Sequence, residues 1–307
     1  MTLTAWAVTT GETGMRTQAR GLARAAADAV EEKIVGVRPW PLGGQVLRPP
    51  WPDVIVSCGR RAAGAALAAR KASGGQILAV HVQDPRLHAG DFDLVVAMRH
   101  DAIAEGGNVI KVATALHDLT PQSLAEAAAA WREHLEPLGH PVTGVIVGGD
   151  LRGRPFTIAD AQRLIDGLKR LRIEANAALA ITPSRRTPQP VIDLLGQTFA
   201  GDRRVFLWDR SGENPYRAIL ALSDRLVVTS DSVSMVSEAL ATPHPVEVFD
   251  LGFARHVGFI QDLVERALVR RFDGNPIPPA TIGPVNSTPQ AAAIVRALLQ
   301  ARTGVSG

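Results

Sequence analysis

Short runs that are apolar at nearly every position recur along this chain and limit its folds more than any other feature. They include Ala5–Thr9, Asp53–Ser57, Ile77–Val82 and Leu94–Ala97 in the first half, then Val142–Val147, Ala177–Ile181, Leu226–Thr229 and Val246–Phe249 in the second. A strand with one wet face alternates apolar and polar residues, whereas a strand covered on both faces does not. Amphipathic stretches separate the runs: Met15–Val30, Gly59–Ala72, the Leu124, Ala128, Trp131, Leu135 series after Pro121, and the Ala161, Leu164, Ile165, Leu168 series. Strand and helix alternating in this way predict parallel sheets wrapped by helices, a doubly wound α/β fold.

The rhythm stops at Pro137-Leu-Gly-His-Pro141 and restarts, so the sequence predicts two Rossmann-like lobes with a cleft between them. The boundaries read as 1–139 and 140–285. A Pro-rich connector then leads to a helix over 286–307 that is expected to pack back on the first lobe. A length of 307 residues suits two domains of about 150. The net charge of +3 suits an anionic small ligand and falls short of a nucleic-acid footprint, so no nucleic-acid partner is expected. Cys58 is the sole cysteine, which excludes an internal disulfide and a cysteine-based metal cluster. The opening residues carry no leader pattern and no apolar run spans a bilayer, so the chain reads as cytoplasmic, with peripheral contact at the inner membrane left open.

In such sheets ligands bind beyond the carboxyl ends of the strands, where loops open into helices. Gly11 and Gly14 follow the first run and allow close backbone approach. Gly148 and Gly149 follow the run 142–147. Ser184-Arg185-Arg186-Thr187 place two guanidinium groups and two hydroxyls before a helix, a pattern suited to phosphate. Asp231, Ser232, Ser234 and Met235 open another helix, with caps and N–H groups able to hold a diphosphate, and Glu238 stands two turns in, where it could hold a ribose diol. Asn214 and Tyr216 sit upstream in a base-side loop. Glu12, Asp84, His100 and Asp101 are the titratable candidates for a base in the first lobe. Asp91-Phe92-Asp93 precedes a strand rather than following one, so no metal site is expected. The loop Arg38–Trp51, with Trp40 and Trp51, has the composition of an interfacial patch.

Ser57-Cys-Gly-Arg60, Gln83-Asp-Pro-Arg86, His100-Asp101, Gly148-Gly149, Ser184–Pro188, Asn214-Pro-Tyr216 and Val228–Ala239 occur in one order. Together they resemble the family of the plant "elongated mitochondria" fission factor, which has many bacterial members. That family is similar to the GT-B class of glycosyltransferases. The stretch from Ser223 to Val246 resembles the donor segment of the lipid-acceptor N-acetylglucosaminyltransferase of peptidoglycan synthesis. The resemblance implies Glu238 at the ribose, Ser232 and Ser234 by the diphosphate, and Gly11 and Gly14 in an acceptor loop. That loop carries a histidine where this chain has Met15. The expectation is a metal-independent glycosyltransferase with no tightly bound cofactor, a nucleoside diphosphate (UDP first) as donor moiety and a lipid-linked acceptor. A nucleotide-sensing adaptor and a nucleotide-sugar epimerase are the alternatives.

Overall fold

The computed structural model describes residues 2–36, 47–151, 153–252 and 256–304. The chain folds into two compact units, Met1–Asp118 with Asn286–Gly307, and Leu119–Val285. Both are parallel sheets wrapped by helices.

The first unit contains β1 (Thr4–Thr9), α1 (Thr13–Ala26), β2 (Ala29–Ile34), β3 (Val54–Cys58), α2 (Arg60–Ala72), β4 (Leu78–Val82), β5 (Leu94–Met98) and β6 (Val109–Val112). The strand order is β2-β1-β3-β4-β5-β6, all parallel, so the direction of winding reverses between β1 and β3. β3, β4 and β5 are buried at every position, which is why their sequences do not alternate. β2 differs. Its sequence, Ala-Val-Glu-Glu-Lys-Ile, lies on the sheet edge and is nowhere fully buried, so it reads as polar; its first two residues fall in the predicted helix 15–30 and the other four go unassigned. That helix ends at Ala26 instead. The terminal helix α9 (Thr288–Thr303) packs on α1, where Arg296 donates to the Ala25 carbonyl.

The second unit contains α3 (Pro121–Leu135), β7 (Val142–Val147), α4 (Ile158–Glu174), β8 (Ala178–Pro183), α5 (Gln189–Thr198), β9 (Val205–Leu207), α6 (Tyr216–Leu222), β10 (Arg225–Thr229), α7 (Val233–Leu240), β11 (Val246–Phe249), α8 (Val257–Glu265) and β12 (Arg270–Arg271). The order β12-β11-β10-β7-β8-β9 places the reversal between β7 and β10. The core lies between sheet and helices, with Leu164, Ile165, Leu168 and Leu171 of α4 against Leu179, Ile181 and Val227. Helix α3 belongs to this unit and packs on α6, so the chain crosses at 118–119 rather than in the Pro137–Pro141 turn. Pro141 does end the segment, but the helix before it buries Ala128 and Leu135 with the second unit's helices.

Candidate functional site

A doubly wound sheet opens a crevice where neighbouring strands send their connections to opposite faces. In the second unit that point lies beyond the carboxyl ends of β7 and β10, and there the sequence places Gly148-Gly149-Asp150 and Ser230-Asp231-Ser232. A Cβ on Gly148 would lie 2.0 Å from the Asp231 carboxylate, and one on Gly149 would lie 2.0 Å from the Arg186 carbonyl. Any side chain at either position would force the loops apart.

Asp231 organises this edge. Its side chain is wholly buried. Oδ2 accepts from Gly149 N at 2.9 Å and from Arg186 Nη2 at 2.8 Å, while Oδ1 accepts from Thr229 Oγ1 at 2.6 Å. Thr229 Oγ1 in turn accepts from Gly148 N at 2.7 Å. Arg186 Nη1 donates to the Asp150 carbonyl at 2.9 Å. A buried carboxylate needs such a shell, since isolated burial of its charge costs several kcal/mol. Asp231 and Arg186 therefore hold three loops together. Of the two residues able to cap α7, Asp231 and Ser232, it is Ser232 that does so, accepting from Met235 N at 3.3 Å, while Asp231 binds Arg186 into the fold.

Ser184 and Thr187 are likewise engaged. Ser184 N donates to Thr187 Oγ1 at 2.9 Å, and Arg186 N donates to Ser184 Oγ at 3.2 Å. Arg185 and Arg186 are both exposed. Ser232, Ser234 and Met235 are partly exposed at the start of α7, where the first N–H groups and the helix dipole favour an anion. Glu238 lies on the second turn and accepts from Tyr216 Oη at 2.7 Å. Burial first, and the Glu238 charge second, push the Tyr216 phenol well above its ordinary value, so it stays a donor. Asn214 Oδ1 accepts from Tyr216 N at 2.9 Å, one residue ahead of the α6 N-cap Pro215, which makes no side-chain capping bond. The structure thus joins Tyr216 to Glu238, a pairing that 22 residues of separation conceal.

Sequence reasoning passes over two residues on this edge. Arg210, after β9, has φ +71° and donates to the Thr187 carbonyl. His256 Nδ1 lies 3.1 Å from the Ser230 carbonyl. Since a carbonyl only accepts, Nδ1 carries the proton. Neither position has a sequence signal, because a left-handed arginine and a histidine next to a strand end look ordinary in one dimension.

In the first unit the candidates spread along the carboxyl edge of the sheet. Gly11 follows β1 with φ +101°, and Glu12 accepts from Thr10 Oγ1 at 2.5 Å. Gly14 lies in the first turn of α1, not in the loop, and its carbonyl accepts from Gln18 at 3.2 Å. A Cβ on Gly59 would come within 2.6 Å of Met15 Sδ, so Met15 fills the space over the β3 turn. Asp84 accepts from Arg86 N at 2.8 Å and pairs with the Arg86 guanidinium at 3.2 Å. Asp101 accepts from Met98 N at 2.9 Å, with His100 Nε2 3.9 Å from its other oxygen. Asp93 is held by Ala79 N and Arg70. Trp51 packs edge-on against Trp6, with 5.9 Å between the rings, so it belongs to its own unit's core cluster rather than to an interfacial patch. Trp40 lies outside the described residues. Among the described residues no helix is long and apolar enough to cross a membrane.

Two Rossmann-like units in tandem define a GT-B-like scaffold of the kind used by glycosyltransferases and nucleotide-sugar epimerases. The fold is shared with UDP-GlcNAc 2-epimerase from Methanocaldococcus jannaschii, at TM-score 0.62 and 14% identity over 97% of this chain and 99% of that one. It is shared also with the glycosyltransferase SnogD from Streptomyces nogalater, at TM-score 0.53 and 14% identity over 98% and 96%. The chain belongs to the Mitochondrial fission ELM1 family, whose profile matches residues 13–299. It is 29% identical over 277 residues to the mitochondrial fission protein ELM1 of Arabidopsis thaliana, covering 82% of this chain and 65% of that longer protein.

Proposed function

We propose that the second unit binds a nucleoside diphosphate sugar, UDP-linked first among candidates, and that the protein transfers the sugar to an acceptor without a metal ion. One observation carries this reading: at the reversal point of the second sheet, a Ser232-capped helix start carries on its second turn a glutamate already oriented by a tyrosine. Diphosphate oxygens at the α7 N-terminus would receive backbone N–H bonds and the helix dipole. Arg185 adds charge there, and Arg186 keeps the cradle in shape through Asp231. Glu238, with one oxygen on Tyr216, would accept from a ribose hydroxyl.

In the transfer, an acceptor oxygen would form a bond to the anomeric carbon as the bond from that carbon to the phosphate oxygen breaks. The electron pair leaves with the nucleoside diphosphate, and the acceptor proton passes to a base. Asp84, His100, Asp101 and Glu12 of the first unit are the candidate bases, and a lipid-linked hydroxyl is the candidate acceptor. A second reading, a nucleotide sensor without chemistry, draws support from Met15, which packs over Gly59 where an acceptor loop would need a titratable group.

The transfer step is tested by release of UDP from UDP-N-acetylglucosamine, with and without a bacterial lipid extract as acceptor source. Lipid-dependent release that disappears in Glu238→Ala supports transfer. Nucleotide binding with no release under any acceptor condition favours the sensor.

A further inference from the structure

The loop between β9 and α6 spends most of its polar side chains on itself. Trp208 Nε1 donates to the Ser211 carbonyl at 2.8 Å. Asp209 Oδ1 accepts both from Ser211 N, at 2.8 Å, and from Ser211 Oγ, at 2.6 Å, and these bonds hold its carboxyl below the usual range. Asn214 is taken by Tyr216 N.

Arg210 is the exception. Its backbone lies in the left-handed region, which a long side chain avoids unless its surroundings impose it. One Nη2 hydrogen goes to the Thr187 carbonyl, while Nε is buried without a partner. Among the described residues no carboxylate pairs with it. A guanidinium presents five donors and no acceptor, so only a group bearing lone pairs can complete it.

The loop also leads directly into Tyr216, whose hydroxyl holds the carboxylate assigned above to the ribose. A base attached to that ribose would meet the 208–214 loop, and Arg210 is the one charged donor held inside it.

We propose that Arg210 reads the nucleotide base, accepting bases that present a carbonyl oxygen (O4 of uracil, O6 of guanine) and rejecting those that present an amine there (N4 of cytosine, N6 of adenine). The inference rests on the nucleotide-binding reading and makes Arg210 its specificity-determining residue. A donor-only side chain facing an amine leaves two donors opposed, which is worth roughly tenfold or more in affinity.

The test is calorimetric titration with UDP against CDP, GDP against ADP, and inorganic pyrophosphate. The proteins are the wild type, Arg210→Asn, whose side chain tolerates the left-handed backbone, and Arg210→Lys, which keeps the charge. The wild type should favour the carbonyl member of a pair by about tenfold or more. Arg210→Asn should bring that ratio to within about threefold with unchanged melting temperature and pyrophosphate affinity, and Arg210→Lys should fall between. An unchanged ratio in Arg210→Asn overturns the inference alone. So does a parallel fall in pyrophosphate affinity, which would make Arg210 a phosphate ligand. Absence of wild-type binding to any nucleotide overturns the nucleotide reading beneath it.

Discussion

Lowering the pH from 7.5 to 5 should destabilise the first unit through two histidines buried in the neutral form. His81 and His117 are 0% and 1% exposed. His81 Nδ1 lies 2.9 Å from Ser57 Oγ, and its Nε2 has no partner; neither ring nitrogen of His117 has one. Burial drives both pKa values down to about 4, against nearby carboxylates, Asp84 for His81 and Asp118 for His117, that pull the other way. The unfolded chain titrates near 6.5, so between about pH 6.5 and 4 it binds more protons than the folded protein. Stability is therefore fully present above pH 6.5 and falls as the pH drops through that window. Each histidine costs about 2 kcal/mol at pH 5 and about 3 kcal/mol below pH 4. Two such terms are a large share of a domain's usual stability of about 5–15 kcal/mol. The assay is urea unfolding of wild type and His117→Leu at both pH values. Carboxylate titrations are common to the two proteins and cancel in the difference. The variant should lose about 2 kcal/mol less on acidification than the wild type. Equal losses, or a His117 ring that titrates near 6.5 by NMR in the folded protein, would show that the ring is solvated and the reasoning wrong.

Gly149→Ala drives a methyl into the Arg186 carbonyl and should cost about 3 kcal/mol of second-unit stability in urea unfolding, because the obstacle is backbone. Asp231→Ala leaves Gly149 N and the Arg186 guanidinium without their acceptor and should cost about 3–5 kcal/mol by the same measurement. Tyr216→Phe removes the phenol hydrogen bond to Glu238 Oε2 and should weaken UDP binding by about tenfold with little change in melting temperature; an unchanged affinity would separate Tyr216 from the site.

The parallel sheets were readable because β4, β7, β8 and β10 are buried throughout, so their apolar runs carry the signal undiluted. Edge strands do not share this property: β2 shows Glu31, Glu32 and Lys33 to solvent, and β12 is two arginines. Loop positions were readable for the same reason as the strands they follow. Pairings across the fold were not. Asp231 and Arg186 are 45 residues apart and meet only because β8 and β10 flank β7. An arginine with positive φ leaves no trace in composition, so Arg210 is visible only in its backbone geometry and its unpartnered Nε.

Nucleotide binding by the second unit is measured by calorimetric titration of the whole protein with UDP, GDP, ADP and CMP. Selective micromolar binding of a nucleoside diphosphate, weakened at least tenfold in Glu238→Ala without loss of folding, is the predicted result. No heat of binding from any of the four nucleotides would contradict it.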